Sequence, residues 1–367
     1  MRIAVMSRAF SPSLGGAETF AEVLAQWLTE RGHDVTIVTE SPSGTSSRPS
    51  PYRVLREPSL LELRRCLSRS DVIHVNGLAA RMVVGSLLTG RRPVVTHIGH
   101  HAICPTGLAL GIAGACPATA ATPGPCRECP AGHGLGSRVM TKSHRAAASA
   151  ARVNVCVSHY LRGRLGIARS RVIYNPLPSD TIRSAATSAR TDTLVFVGRL
   201  VREKGVDLLL RAVAAVSDAQ LRIVGDGPER GALHALAIDL GLADRVTFLG
   251  SRSRDAVLDE MDAASVVCVP SVVHEAFGYV AAEAMAGSRA VVATPLGGVE
   301  ELLAHRRGFL ADSVTSPSLA AAIRMALSNE AERTERGGRA RQFVLDNLTV
   351  ASVGTQYLKA YGASALG

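Results

Sequence analysis

The chain has 367 residues, more than one hydrophobic core usually serves, so two domains are expected. A hydrophobic fraction of 47% excludes a disordered chain, and aromatics at 4% fit helices packed on sheets through Ala, Val and Leu. The net charge of +10 is uneven: residues 1–180 carry 21 Lys and Arg against 10 Asp and Glu, whereas 181–367 carry 20 against 21. An anionic partner is therefore expected on the first half, either a phosphorylated substrate or an acidic lipid surface. Nucleic acid ranks last, because no basic helix with interleaved aromatics and no nucleic-acid motif occurs.

The start, "MRIAVMSRAFSPSLGG", lacks the apolar stretch and cleavage site of a signal peptide and reads as a strand entering a loop. No uninterrupted apolar run is long enough to cross a bilayer. Pro105, Pro117, Pro123 and Pro125 break the nearest candidate, residues 102–125. A cytoplasmic location is expected, with peripheral contact at an anionic membrane face.

Short β-branched runs then alternate with amphipathic helical patterns. Strands are expected at 2–7, 34–39, 71–76, 93–98, 153–158 and 171–175, then at 193–198, 221–227, 245–250, 265–271 and 290–294. Their apolar runs lack clean alternation, as strands buried on both faces do, so each half should hold a parallel sheet. The Ser/Thr/Ala-rich stretch 177–193 resets the pattern and marks the boundary. The expected fold class is α/β, two doubly wound Rossmann-like domains facing a cleft. Ligands of such sheets bind beyond the carboxyl ends of the strands.

Three loops there carry chemistry. In "SPSLGGAETF" (11–20), Gly15 and Gly16 let the backbone approach a ligand at a helix N-terminus, although a tight turn accounts for the glycines equally well. The segment is not GxGxxG, which opposes a dinucleotide site. In "VGRLVREKGVD" (197–207), Arg199 and Lys204 are two cations suited to a diphosphate, or a solvated cluster near a turn. In "SVVHEAFGYVAAEAMA" (271–286), a helix is expected from Phe277 or Gly278. Glu275 then lies in the loop before it, and Glu283 almost two turns inside, where an ionised group needs a polar partner. A vicinal diol donating two hydroxyls is one such partner.

The set "GGAE", "VGRLVREKG", "VGDGP", "VTFLG", "VPSVVHEAFGYVAAEAMA" and "ATPLGGVEEL", in this order, resembles glycosyltransferase family 4 of the GT-B fold. The resemblance covers nearly the whole chain and is densest from 194 to 302. It implies a retaining, metal-independent transferase that moves a hexose from a nucleotide-diphosphate sugar, with no cofactor for catalysis. The acceptor is expected to be a lipid-linked or phosphorylated intermediate of cell-envelope or polysaccharide biosynthesis. Residues 1–180 would form the acceptor-binding domain, with a cysteine-containing insert near 100–135. Residues 181–345 would form the nucleotide-sugar domain, and 346–367 a helix returning to the first. The resemblance assigns Arg199 and Lys204 to the donor diphosphate, Glu283 to the ribose, and Glu275 to the donor sugar near the reacting centre. It adds the Phe277, Gly278 and Tyr279 backbone and Gly16 to the phosphate cradle, and His97 near the transferred sugar. Two departures stand out: "GSRA" (287–290) replaces the usual Cys-Gly-x-Pro, and "HIGHHA" (97–102) leaves open which of His97, His100 and His101 faces the sugar.

Cys104, Cys116, Cys126 and Cys129 share one insert, spaced C-x11-C-x9-C-x2-C. Four cysteines match a tetrahedral structural zinc, with free or redox-paired thiols the alternative. The competing functional readings are a sugar-nucleotide epimerase of the same fold and a non-catalytic scaffold. The scaffold would be expected to have lost Glu275, Arg199 or Lys204.

Overall fold

The computed structural model describes residues 1–11, 15–42, 50–107, 109–111, 114–116, 135–183 and 190–362. They fall into two compact units, one of residues 1–112, 117–178 and 347–367, the other of 113–116 and 179–346. Each is built on a parallel sheet, and the fold class is α/β.

The first 172 residues run β1 (Arg2–Ser7), α1 (Gly16–Glu30), β2 (Asp34–Thr39), β3 (Arg53–Arg56), α2 (Leu60–Arg69), β4 (Val72–Asn76), α3 (Ala80–Leu87) and β5 (Val94–His97). Two two-residue strands follow, β6 (Leu110–Gly111) and β7 (Gly114–Ala115), then α4 (Leu135–Ala150), β8 (Val153–Cys156), α5 (His159–Leu165) and β9 (Ser170–Val172). The sheet order is β3-β2-β1-β4-β5-β8-β9. Ile3 and Val5 on β1 pack with Phe20, Leu24 and Leu28 on α1, all almost wholly buried. Strand β3 has no apolar run to announce it, because it is an edge strand whose residues are only half buried.

The second unit runs β10 (Thr193–Val197), α6 (Val206–Ala214), β11 (Gln220–Val224), α7 (Arg230–Asp239), β12 (Val246–Gly250), α8 (Arg254–Ala263) and β13 (Val266–Val269). It continues with α9 (Tyr279–Ala286), β14 (Ala290–Ala293), α10 (Gly298–Leu303), β15 (Phe309–Leu310), α11 (Ser316–Ser328) and α12 (Glu330–Asn347). The sheet order is β12-β11-β10-β13-β14-β15. In both sheets the order reverses beside the first strand: β1 lies between β2 and β4, and β10 between β11 and β13. The loops leaving β10 and β13 therefore diverge over a crevice, the place where such sheets hold ligands.

The last helix, α13 (Val350–Ala360), belongs to the first unit and packs on α1. Gly354 makes the approach: a Cβ there would stand 2.5 Å from the Trp27 ring. Behind it lies a buried polar chain. The two ring nitrogens of His74 meet the Thr96 hydroxyl at 2.7 Å and the Tyr361 hydroxyl at 2.8 Å, and the Tyr357 hydroxyl meets Thr96 at 3.0 Å. Burial pushes the His74 imidazole down to about 3, so it stays neutral, with one nitrogen donating and the other accepting. Tyr361→Phe leaves one of those nitrogens without a partner and is expected to cost about 1–3 kcal/mol. Denaturant unfolding checks this, and an unchanged midpoint would show that the chain of hydroxyls does not hold α13.

Candidate active site

The densest group of expected site residues lies at the carboxyl ends of β10, β13 and β14. Strand β13 stops at Val269, two residues before the expected end at Ser271, since Pro270 has no N–H to continue the ladder. The β10 loop closes as a 3₁₀ turn at Arg202–Lys204 and leaves it through Gly205, at φ +64°. A Cβ on Gly205 would stand 2.1 Å from the Pro270 carbonyl, so only glycine lets these loops touch. The Val272 N–H donates to the Glu203 carbonyl at 3.0 Å and ties the same two loops.

That contact aims Lys204 at Glu275. The Lys204 ammonium donates to Glu275 Oε1 at 2.6 Å, and the Ser271 hydroxyl donates to the same oxygen at 2.6 Å. Both charged side chains are largely buried. The third loop holds the Glu275 backbone, whose carbonyl accepts from the Gly298 N–H at 2.7 Å. Burial raises the Glu275 carboxyl, but the Lys204 charge and the hydrogen bonds from Lys204 and Ser271 outweigh it and hold the pKa below the ordinary value.

Eight residues on, Glu283 lives in a different environment. Helix α9 starts at Tyr279 with Gly278 as its N-cap, at φ +99°. Glu283 is therefore its fifth residue, closer to the N-terminus than the sequence placed it. Its carboxylate accepts from Arg254 Nη1 at 3.1 Å, and Arg254 also reaches Asp180 and Thr181. Burial raises the Glu283 pKa, and Arg254 offsets this only in part. Phe277 and Tyr279 frame Gly278 as an edge-to-face pair with ring centroids 5.3 Å apart, at the positive end of the α9 dipole.

Arg199 does not join this pair, and the remaining expected residues belong to the first unit. The Arg199 side chain is 71% exposed and 3.8 Å from Glu203, so Lys204 alone of the two cations meets Glu275. Gly16 opens α1 in the other unit, exposed, with Gly15 as N-cap. His97 ends β5 and is 1% exposed. Its Nε2 meets Asn154 Oδ1 at 2.9 Å, and because the Asn154 amide donates to the Ala148 carbonyl at 3.0 Å, the histidine is the donor. Nδ1 then carries the lone pair, with no hydrogen-bond partner among the described residues. His100 is buried against the Gly107 carbonyl and the Tyr160 ring, and His101 lies 6.1 Å from His144 between ring centroids.

The departing segment "GSRA" turns through Ser288 at φ +60°, and Arg289 goes inward, 8% exposed, its Nη1 3.5 Å from the Ala264 carbonyl. Cys104 is buried with its sulfur 3.2 Å from the Thr106 hydroxyl, and Cys116 is half buried. Cys126 and Cys129 lie outside the described residues, and with them the expected zinc site. Cys156 and Cys268 are buried, and burial pushes their thiols up to about 12, which leaves them unreactive. Ser271, Arg254 and Asn154 escaped the sequence reading. Arg254 and Asn154 meet their partners only between elements or across the sheet, and Ser271 meets Glu275 only through the fold of their shared loop.

Residues 179–343 match the family described as "Glycosyl transferases group 1", and residues 14–181 match "Glycosyltransferase Family 4". A D-inositol 3-phosphate glycosyltransferase of Mycobacteroides abscessus is 42% identical over 125 residues, 32% of this chain and 28% of that protein. The chain thus spans less than a third of that relative's length. The gpi3 subunit of the phosphatidylinositol N-acetylglucosaminyltransferase of Schizosaccharomyces pombe is 29% identical over 353 residues, 85% of this chain and 72% of that protein. Among solved structures, Anabaena HepE in complex with UDP and glucose has a TM-score of 0.75 at 21% identity, covering 99% of this chain and all of that one. This last likeness shows the fold.

Two outcomes test the geometry. His97 at about 4 stays neutral at pH 7, so nitrogen-15 NMR is expected to show a protonated Nε2 that does not titrate across the physiological range. Asn154→Asp should bring its pKa toward neutrality, and a wild-type titration near neutrality would refute the arrangement. For Glu283 the sign runs the other way from an ordinary paired carboxylate. A folded pKa above the unfolded one makes the ionised form a cost above the folded pKa, and that cost vanishes as pH falls below both values. Glu283→Gln is therefore expected to leave the melting temperature at pH 7 unchanged or raise it by about 1–3 °C, with the gain gone at acid pH. A clear loss at pH 7 would mean that the Arg254 contact outweighs burial.

Proposed function

Since this chain belongs to the family 4, group 1 glycosyltransferases and has their GT-B fold, we propose that it transfers a hexose from a nucleoside diphosphate sugar to an acceptor, with retention and without a catalytic metal. The observation that carries the reading is the cluster of Lys204, Glu275 and Ser271 beside Gly278 and Glu283, built from three loops at the switch point of the second sheet. A leaving diphosphate needs positive charge set in advance, and Lys204 with the α9 N-terminus is such an arrangement. In this reading Arg199, exposed and only distantly paired, swings onto the diphosphate when the donor arrives. Glu275, kept ionised by Lys204, faces the charge developing on the sugar. Glu283 receives the ribose hydroxyls, which supply the hydrogen bonds its burial lacks. Phe277, Gly278 and Tyr279 bring the backbone of the helix start to the phosphates, and Gly16, at the start of α1, is a further candidate for them. His97, neutral and holding its Nδ1 lone pair, takes a hydroxyl hydrogen of the sugar. HepE was crystallised with UDP and glucose, which supports a nucleoside diphosphate donor.

For the acceptor we infer a phosphorylated or lipid-linked molecule met at an acidic membrane face. Both enzyme relatives are named for inositol phosphates, one soluble and one a lipid. The basic half of the chain agrees, as do the exposed side chains of Leu60 and Leu61 on α2 and of Val84 and Leu88 on and after α3. The two helices adjoin, with Leu67 of α2 about 4.0 Å from the Cβ position of Gly85 on α3. A helix pair offering apolar side chains next to arginines suits an anionic bilayer surface, where each basic residue is worth about 1 kcal/mol.

Lys204→Ala is expected to lower turnover about 30- to 1,000-fold, corresponding to roughly 2–4 kcal/mol of transition-state stabilisation. Glu275→Gln should lower kcat while sparing free-nucleotide affinity, and Glu283→Gln should weaken the nucleotide itself. Wild-type rates in Lys204→Ala, or epimerised donor without transfer, would overturn the reading. Vesicle flotation tests the acceptor's setting: binding to acidic vesicles that falls with salt is expected, and no binding at low salt would move the acceptor into solution.

A further inference from the structure

Three arginines of the first unit stand around one pocket, at the end of β5 opposite His97. The amino ends of β4 and β5 border a pocket of about 300 Å³ lined by Asp71, Val72, Val94, Arg91, Arg92 and Arg152, with Ile73 beneath. Strand β5 runs from Val94 in the pocket wall to His97 at its other end, three residues or about 10 Å away.

The three guanidinium groups are held by neutral backbone oxygens. Arg92 Nε donates to the Ala150 carbonyl at 2.9 Å and its Nη2 to those of Ser149 and Ala151, at the end of α4. Arg152 Nη2 donates to the Ala360 carbonyl at 2.8 Å, at the end of α13, and Arg91 Nη1 to the Asp71 carbonyl at 3.3 Å. The one carboxylate of the pocket, Asp71, is taken by Arg2, which approaches it with its backbone N–H at 2.8 Å and its Nη2 at 3.0 Å. Among the described residues no carboxylate pairs with Arg91, Arg92 or Arg152, and Nη2 of Arg91 and Nη1 of the other two have no protein acceptor. Capping of the α4 and α13 ends accounts for one edge of Arg92 and Arg152. The three side chains are exposed, and their remaining edges face solvent around one concavity.

We propose that this pocket is an anion site, separate from the donor site, that binds a phosphate monoester. Guanidinium forks match the paired oxygens of a phosphate, and backbone bonds that already fix two of them reduce the ordering cost of binding. A doubly charged monoester offsets the local charge better than a diester does. The volume suits a small phosphorylated molecule or the headgroup of a phosphatidic acid. The proposal does not depend on the donor-site reading, since no residue is shared.

The test uses the full chain carrying Lys204→Ala, which weakens the donor-site diphosphate clamp, so that phosphate binding reports on this pocket. Glycerol 3-phosphate is titrated calorimetrically into that protein and into the same protein with Arg91→Gln and Arg152→Gln. Saturable binding weakened at least about tenfold by the two substitutions is expected. Arg91→Gln alone, which removes a single long backbone contact, guards against loss of the fold and should still weaken binding about threefold or more. Vesicles of phosphatidic acid and of phosphatidylglycerol, matched in surface charge, form the second arm. Arginine-dependent preference for phosphatidic acid without binding of glycerol 3-phosphate identifies a lipid headgroup, and binding of both identifies a free phosphomonoester as sufficient. Binding of neither, or binding indifferent to the arginines, overturns the proposal.

Discussion

The contact between Gly205 and Pro270 is the constraint on which the rest of the second unit's site depends. With no side chain at Gly205, the loop leaving β10 lies against the loop leaving β13, and Lys204 reaches Glu275 at 2.6 Å. Any larger residue at 205 would push the loops apart at backbone level and separate the pair. A lysine and a glutamate this far from water are costly to bury and remain favourable only with near-ideal geometry. The Ser271 hydroxyl and the Gly298 amide supply that geometry, one holding the carboxylate and the other its backbone. Loops after three neighbouring strands, β10, β13 and β14, thus act as one support that holds Lys204 against Glu275.

The two glutamates show how one helix start sets two carboxylates apart. Both are buried, and burial pushes both toward the neutral form. Glu275 has a lysine and a hydroxyl on one oxygen and stays ionised. Glu283 has a single arginine, itself shared with Asp180 and Thr181, and is pushed the other way. The difference lies in the number and closeness of partners, not in depth. The same stretch of chain thus holds one carboxylate ionised between two close donors and the other with one shared partner.

The first unit uses its strands at both ends. At the carboxyl end of β5, His97 is locked by Asn154 into the tautomer with a bare Nδ1. At the amino end stand the arginines of the basic pocket, two of which also cap the helices α4 and α13. Helix α13 is held from inside by Tyr357 and Tyr361, through Thr96 and His74. Thr96 precedes His97 on β5, so the packing of the last helix and the placement of the histidine share one strand.

The sequence by itself determined the alternation of strands and helices, two parallel sheets, the family, and which residues carry charge at the carboxyl ends of β10 and β13. Those features are local: apolar runs, glycines beside helix starts, and motifs in fixed order. Strands β3 and β15 stayed hidden because one is a half-buried edge and the other has only two residues. Only the tertiary structure decided who meets whom. Lys204 and Glu275 are 71 residues apart, Arg254 and Glu283 are 29, and His97 and Asn154 are 57. Parallel strands return every β-α loop to the same end of a sheet, but the order of the strands decides which loops touch. That order is set by the packing of whole elements, and no residue spacing records it.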